Sequence, residues 1–364
     1  MEQQSFFKGS FVEEIMTDEN ITDISFNGTQ CWVQHNIKGR FLSPVQPTLE
    51  QVEVLIKRLA DIQKKEITTS NPILDTEIEE YRVNAMHESI SPYGMTFAIR
   101  VSKPRRAIQS LTHLANKDVA KLIEILVRAD SNIIISGKTG SGKTELQKTL
   151  VGLIPDSKKI TLCEDTMDSH IKQLYPEKDI NSWTTLIDDN RNKNIEFVDL
   201  IKAGLRNNPD WLLVSETRGA EAYNVLDSAL TDHPIITTLH AKGAAAIPSR
   251  LIKMINQGTK NNDPILLGKE IVEYLKFGIH MKMKETENGI VRYIKEVVEF
   301  IDYGEKGAEY IPIYRQNKVY DHKEKVYKDV YEFSPLSKDT ISTLEDYELY
   351  HELPECFIPK EKVA

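Results

Sequence analysis

Gly137-Lys138-Thr139-Gly140-Ser141-Gly142-Lys143-Thr144 matches the pattern GxxxxGK[ST] at every fixed position. That spacing has one well-understood chemistry, which is to wrap a polyphosphate. Its glycines let successive backbone N–H groups turn toward one point, and a helix starting straight after the loop adds the partial positive charge of its N-terminus. Lys143 would pair with the β- and γ-phosphates of a nucleoside triphosphate, and the Thr144 hydroxyl would hold Mg²⁺. A glycine-rich turn without a ligand could share the composition but not the context. Here the apolar run 133–136 reads as a strand feeding the loop, and 145–153 as the helix leaving it.

Hydrolysis of a triphosphate also needs carboxylates for the metal and for the attacking water. The apolar run 211–214 continues into Ser215-Glu216, and the run 160–163 into Glu164-Asp165. In a parallel sheet all strand C-termini share one edge, so these acids would arrive beside the phosphate loop. A carboxylate at a strand end can equally be a helix cap. It is the pair, after such a loop, that points to chemistry. His240 ends another strand-like run, 235–239, where it would sense a γ-phosphate or satisfy hydrogen bonds of the core.

These residues need a scaffold that brings strand ends together. From 116 onward the chain alternates short continuous apolar runs (133–135, 160–163, 211–214, 235–238) with amphipathic segments (197–205, 220–230, 244–255). That rhythm implies an α/β domain with a parallel-rich sheet and helices on both faces. Asn116 can cap a helix with Val119, Leu122, Ile123 and Leu126 on one face, and 277–283 with 291–301 read as a closing strand pair.

Residues 1–103 read as a smaller α+β domain. Strand-like pieces at 21–26 and 31–34 flank Asn27-Gly28, a hairpin signal, and two more lie at 82–84 and 96–100. Thr48 with Gln51 forms a capping-box signature opening a helix whose stripe is Leu49, Val52, Leu55, Ile56 and Leu59. The stretch 102–106, centred on Pro104, reads as linker, and we expect a linker at 104–115, the nucleotide-binding domain at 116–301 and a C-terminal extension at 302–364. That extension carries only short β-like pieces near 310–314 and no readable motif.

Composition sets bounds on this reading. The 364 residues are 40% apolar and 28% charged, an ordinary globular balance for two domains. With 46 basic and 55 acidic side chains the net charge is −9, which argues against direct nucleic-acid binding. No apolar run approaches a membrane span, and 1–7 contains Glu2 and no basic apolar leader. Cys31, Cys163 and Cys356 are dispersed, so a reduced cytosolic setting without a zinc site is expected.

Taken in order, the motifs resemble those of the type II/IV secretion system ATPases, in particular the conjugation and tight-adherence pilus branch. The phosphate loop is followed by Thr161-Leu162-Cys163-Glu164-Asp165-Thr166-Met167-Asp168, similar to that family's aspartate box. Residues 212–222, through Glu216, Arg218 and Glu221, resemble its Walker B segment, and 237–241 its histidine box. The likeness covers about 15–300. It implies an N-terminal domain over a RecA-like P-loop ATPase domain, with ATP and Mg²⁺ as cofactors. It also implies a homo-oligomer, a hexameric ring, acting at the cytosolic face of the membrane beside secretion or pilus platform proteins. By resemblance Arg82 and Arg100 of the N-terminal domain contact the nucleotide, while Arg206 and Arg218 act at the site or at the subunit interface. Glu164 becomes the better candidate for acting on water, with Glu216 and Asp165 nearer the metal, though the residues alone do not separate Glu164 from Glu216. Ser215, Thr217, Asn208, Asp168 and Lys242 depart from the family's usual residues, and no tetracysteine insert follows the Walker B segment. Two other readings share the loop: a P-loop DNA motor of helicase or packaging type, and an ATP-dependent scaffold without turnover.

Overall fold

The computed structural model describes residues 6–186, 194–258, 263–287 and 289–359; of the stretch 1–7, in which no leader was expected, 1–5 lie outside them. The chain forms two compact units, Met1–Lys103 with Lys284–Val291, and Pro104–Met283 with Arg292–Ala364.

The first unit contains α1 (Phe11–Ile15), β1 (Ile21–Phe26), β2 (Cys31–His35), β3 (Gly39–Leu42), α2 (Leu49–Ile62), β4 (Ile73–Ile78), β5 (Tyr81–Met86) and β6 (Thr96–Val101). Its strands form one antiparallel sheet in the order β3-β2-β1-β6-β5-β4. Alternate residues such as Ile24, Val33, Val83 and Ile99 are buried, and α2 packs Val52, Leu55, Ile56 and Leu59 into the same core. The capping box is formed in full: Thr48 Oγ1 accepts from Gln51 N–H, and Gln51 Oε1 accepts from Thr48 N–H. Leu49 corrects the expected stripe. At the first helical position it is exposed rather than buried, because no turn precedes it to carry the stripe further.

The second unit begins with α3 (Lys117–Arg128), capped by Asn116, then β7 (Ile133–Gly137), α4 (Lys143–Val151), β8 (Ile160–Glu164), α5 (Ile171–Leu174) and β9 (Ile180–Thr184). It continues through α6 (Phe197–Leu205), β10 (Trp211–Val214), α7 (Ala222–Leu230), β11 (Ile235–Leu239), α8 (Ile247–Gly258) and α9 (Pro264–Tyr274). The chain then enters β12 (Phe277–Thr286), β13 (Gly289–Gly304), β14 (Gly307–Asp321), β15 (Val326–Phe333) and α10 (Lys338–Asp346). One nine-stranded sheet runs β15-β14-β13-β12-β7-β11-β10-β8-β9. From β12 to β9 neighbouring strands are parallel, while β14 pairs antiparallel with both β13 and β15.

Both faces of the parallel part are covered, which is why its strands read as continuous apolar runs. Ile133, Ile135, Trp211 and Leu213 join the core beneath α3 and α4, and Ile134, Leu212 and Val214 join the one beneath α6 to α9.

The tail differs from the sequence expectation. It contains two long strands that extend the nine-stranded sheet, followed by a segment that returns to α3. Leu336, Leu344, Leu349, Leu353 and Phe357 enter the core of α3, and Glu352 pairs with Lys121 (2.6 Å) and Arg128 (2.7 Å). The fully buried Glu299 carboxylate caps this return, accepting from Ser337 N–H at 2.9 Å and from the Ser337 and Thr340 hydroxyls. Nor do 104–108 hang as a bare linker: along α4, Ala107 N–H donates to Glu145 (2.7 Å), and Lys148 and Thr149 donate to the Arg105 and Ile108 carbonyls. Among the described residues no helix is long and apolar enough to cross a membrane.

Candidate functional site

Because β7, β11, β10 and β8 are parallel neighbours, their C-terminal ends present Gly137, His240, Glu216 and Glu164 along one edge. The loop after β7 turns through Gly140 (φ +77°) and Gly142 (φ +94°), left-handed conformations that glycine adopts without steric cost. It leads directly into the N-terminus of α4, whose first residues are Lys143 and Thr144.

Lys143 is buried beneath its own loop. Its Nζ donates to the Gly137 carbonyl at 3.2 Å and to the Lys138 carbonyl at 3.5 Å, and burial pushes the ammonium below its ordinary range, with Glu216 opposing. Gln147, one turn further along α4, is fully buried and donates from Nε2 to the Val214 (3.0 Å) and Ile236 (3.2 Å) carbonyls. It ties the helix to β10 and β11 just behind the site. Sequence reasoning missed it, since a helical glutamine 67 residues from its partner leaves no local signal.

A chain of contacts links loop to carboxylates. His240 Nδ1 lies 2.9 Å from the Gly137 carbonyl and Nε2 lies 2.9 Å from Glu216 Oε1. A carbonyl only accepts, so Nδ1 donates there, which leaves Nε2 facing the Glu216 carboxylate. Glu216 Oε2 accepts from Arg218 Nη2 at 2.9 Å, and Arg218 Nη1 stands 3.5 Å from Asp165 Oδ2. The bond to Glu216 holds the Arg218 guanidinium above its ordinary range. Behind them Thr217 and Thr237 share a 2.8 Å hydroxyl contact.

Glu164 ends β8 fully buried. Oε1 accepts from Ser169 N–H at 3.0 Å, while Oε2 has no hydrogen-bond partner among the described residues. Burial pushes its carboxyl up to about 7, against the lowering effect of Ser169. Its neighbour Asp165 accepts from Thr185 Oγ1 at 3.1 Å. A cavity of about 330 Å³ is lined by Thr144, Glu164, Asp165, Asp168, Glu216 and Arg218, among others.

The donors suit a hard cation shared with a phosphate. Among the described residues no three acidic, His or Cys side chains converge to hold a metal alone. Mg²⁺ is ordinarily held by one or two protein oxygens and completed by phosphates and water. The Thr144 hydroxyl, the carboxylates around it and the unpartnered Glu164 Oε2 fit that requirement.

Arg206 is exposed at the C-terminal cap of α6 and does not line the cavity. Arg82 and Arg100 face each other across β5 and β6 in the first unit, Arg100 Nε bonded to Asp23 at 2.9 Å and Arg82 3.9 Å from Asp75.

Comparison with known proteins extends this picture. Residues 10–283 match the family described as "Type II/IV secretion system protein". An uncharacterised protein of Bacillus anthracis is 30% identical over 357 residues, covering 94% of this chain and 77% of that one. The type IV secretion system protein VirB11 of Bartonella quintana is 27% identical over 233 residues, 62% of this chain and 64% of its own. Among solved structures, the Legionella pneumophila ATPase DotB shares the fold with a TM-score of 0.58 at 21% identity, covering 81% of this chain and 80% of its own.

Proposed function

We propose, from the premise that this chain belongs to the type II/IV secretion system protein family, that it is an ATP-hydrolysing motor of a type IV secretion, conjugation or pilus-assembly machine. The observation that carries this reading is the continuous path from the phosphate-loop carbonyl of Gly137 through His240, Glu216 and Arg218 to Asp165, beside the buried Glu164.

In this reading the loop amides and Lys143 cradle the β- and γ-phosphates of ATP. Thr144 with Glu216 or Asp165 holds Mg²⁺, which when bound neutralises phosphate charge. Glu164 is the better placed of the two glutamates to accept a proton from water. Its Oε2 faces no competing donor, and a carboxyl near neutrality balances holding and releasing a proton. Glu216, hydrogen-bonded at Oε2 by Arg218 and with Oε1 2.9 Å from His240 Nε2, is the better relay between metal, loop and His240. Arg218 supplies positive charge at the cavity rim, and Arg82, Arg100 and Arg206 are assigned by resemblance to nucleotide or subunit contacts. The motor would assemble as a homohexamer, peripheral to the cytosolic face of the membrane, beside secretion or pilus platform proteins and without binding nucleic acid directly.

The test is turnover. Purified protein should release phosphate from ATP in Mg²⁺-dependent fashion, and Lys143→Ala should abolish both binding and release. Undiminished hydrolysis in that variant would overturn the assignment.

A further inference from the structure

Arg292, near the start of β13, has its side chain laid on the phosphate loop. Its Nε donates to the Gly140 carbonyl at 2.9 Å. Its Cδ lies 3.3 Å from the point where a Cβ on Gly142 would stand, so the stem packs against the loop as well. From β12, Met281 Cε comes within 3.5 Å of that same point, and Met283 Sδ within 3.5 Å of the matching point on Gly140. Residues two apart on a strand share a face, so Met281 and Met283 back the loop from one side while Arg292 reaches it from the next strand. The Arg292 side chain is partly buried here, and that burial lowers its guanidinium from the ordinary range, with Glu145 as the opposing charge.

This contact lands on a peptide unit that is already fixed at its other end. Ser141 N–H donates to the Lys138 carbonyl at 3.2 Å, closing a turn whose third residue, Gly140, is left-handed. The peptide joining Gly140 to Ser141 is planar and trans, with its C=O and N–H pointing in opposite directions. Pinning both ends fixes which dipole faces inward. A phosphate cradle works only while N–H groups converge; a carbonyl oxygen turned among them would repel the anion. Arg292 engages the Gly140 oxygen from β13, so that carbonyl is held by a donor of a neighbouring strand.

We propose that Arg292 is a positioning residue of the phosphate loop, holding the Gly140 carbonyl away from the polyphosphate so that the loop keeps its shape for nucleoside di- and triphosphates. The inference rests on the ATPase reading above. A loop-shaping role acts on ground-state binding and therefore equally on di- and triphosphate. It differs from a transition-state arginine, whose removal lowers kcat.

The experiment uses the full chain and its Arg292→Ala, Arg292→Gln and Arg292→Lys variants, measuring steady-state ATP hydrolysis and binding of Mg-ADP by calorimetry. Arg292→Ala should raise the KM for ATP and the Kd for ADP by the same factor, about tenfold, the lower end for a hydrogen bond to a charged group. Its kcat should stay within about threefold, since the contact is equal in ground and transition states. Arg292→Lys should recover part of the affinity. Millimolar guanidinium, against matched sodium chloride, should restore Arg292→Ala but not Arg292→Lys. If Arg292→Ala does not fold, Arg292→Gln reads the same loss of charge with most of the stem retained. Unchanged KM and Kd beside an active wild type would overturn the proposal alone, as would a fall in kcat at constant KM. A wild type that neither binds nor hydrolyses nucleotide would sink the ATPase reading first, and this one with it.

Discussion

His240 Nε2 stands 2.9 Å from Glu216 Oε1 while its Nδ1 stands 2.9 Å from the Gly137 carbonyl, so one imidazole joins the carboxylate after β10 to the loop after β7. A side chain bridging two parts of a site makes their effects interdependent. In a double-mutant cycle on turnover, His240→Ala and Glu216→Gln should therefore be non-additive. The coupling should be about 0.5–1 kcal/mol, at the modest end because the imidazole is half open to water. Strict additivity of the two losses would show that the bridge does not operate in the working enzyme.

Glu164 should govern part of the pH dependence of stability. Burial raises its carboxyl to about 7, whereas the unfolded chain titrates near 4.5. Between those values the folded state holds a proton that the unfolded state has released, so the stability contribution falls as pH rises from about 4.5 through about 7. Glu164→Gln removes that penalty. Urea unfolding at pH 5 and pH 8 should show the variant gaining on the wild type at the higher pH by up to about 3 kcal/mol. An identical gap at both pH values would refute this account.

Gln147 should matter for the stability of the site's scaffold. Gln147→Leu keeps the volume but strips two buried strand-end carbonyls of their donor. A loss of about 2–4 kcal/mol is expected, since each unsatisfied buried acceptor costs about 1–3 kcal/mol. Denaturant midpoints should report it, and a loss under about 0.5 kcal/mol would mean water replaces the amide.

Phe357, fully buried although only a few residues from the C-terminus, anchors the tail in the core beneath α3. Phe357→Ala should cost about 3–5 kcal/mol, the range for emptying a buried aromatic site. If the second unit's melting temperature is untouched, the tail is not part of its cooperative core.

The chemical residues were legible in the sequence because each sits at a place the fold makes obvious, a loop after a strand or an acid at a strand end. The parallel strands were legible for the same reason: burial on two faces demands uninterrupted apolar runs such as Ile133-Ile134-Ile135. Of β14 only the piece 310–314 was legible, and β15 was not. Val326-Tyr327-Lys328-Asp329-Val330-Tyr331-Glu332 is exposed along its length, so no apolar alternation marks it, and pairing with β14 alone makes it a strand. β9 (Ile180–Thr184), too, is polar enough to pass for a loop. Gln147 and Arg292 escaped because their partners lie 67 and 152 residues away.

The return of the tail to α3 has a consequence for how the molecule is made. Lys121 and Arg128 emerge from the ribosome more than two hundred residues before Glu352, their partner. The layer of the second unit that contains α3 therefore stays open until 336–357 has been made and can fold back onto it. A ribosome stalled in β15 would leave a chain with its nucleotide motifs complete and one greasy flank bare, a species that chaperones would meet before any assembly partner could.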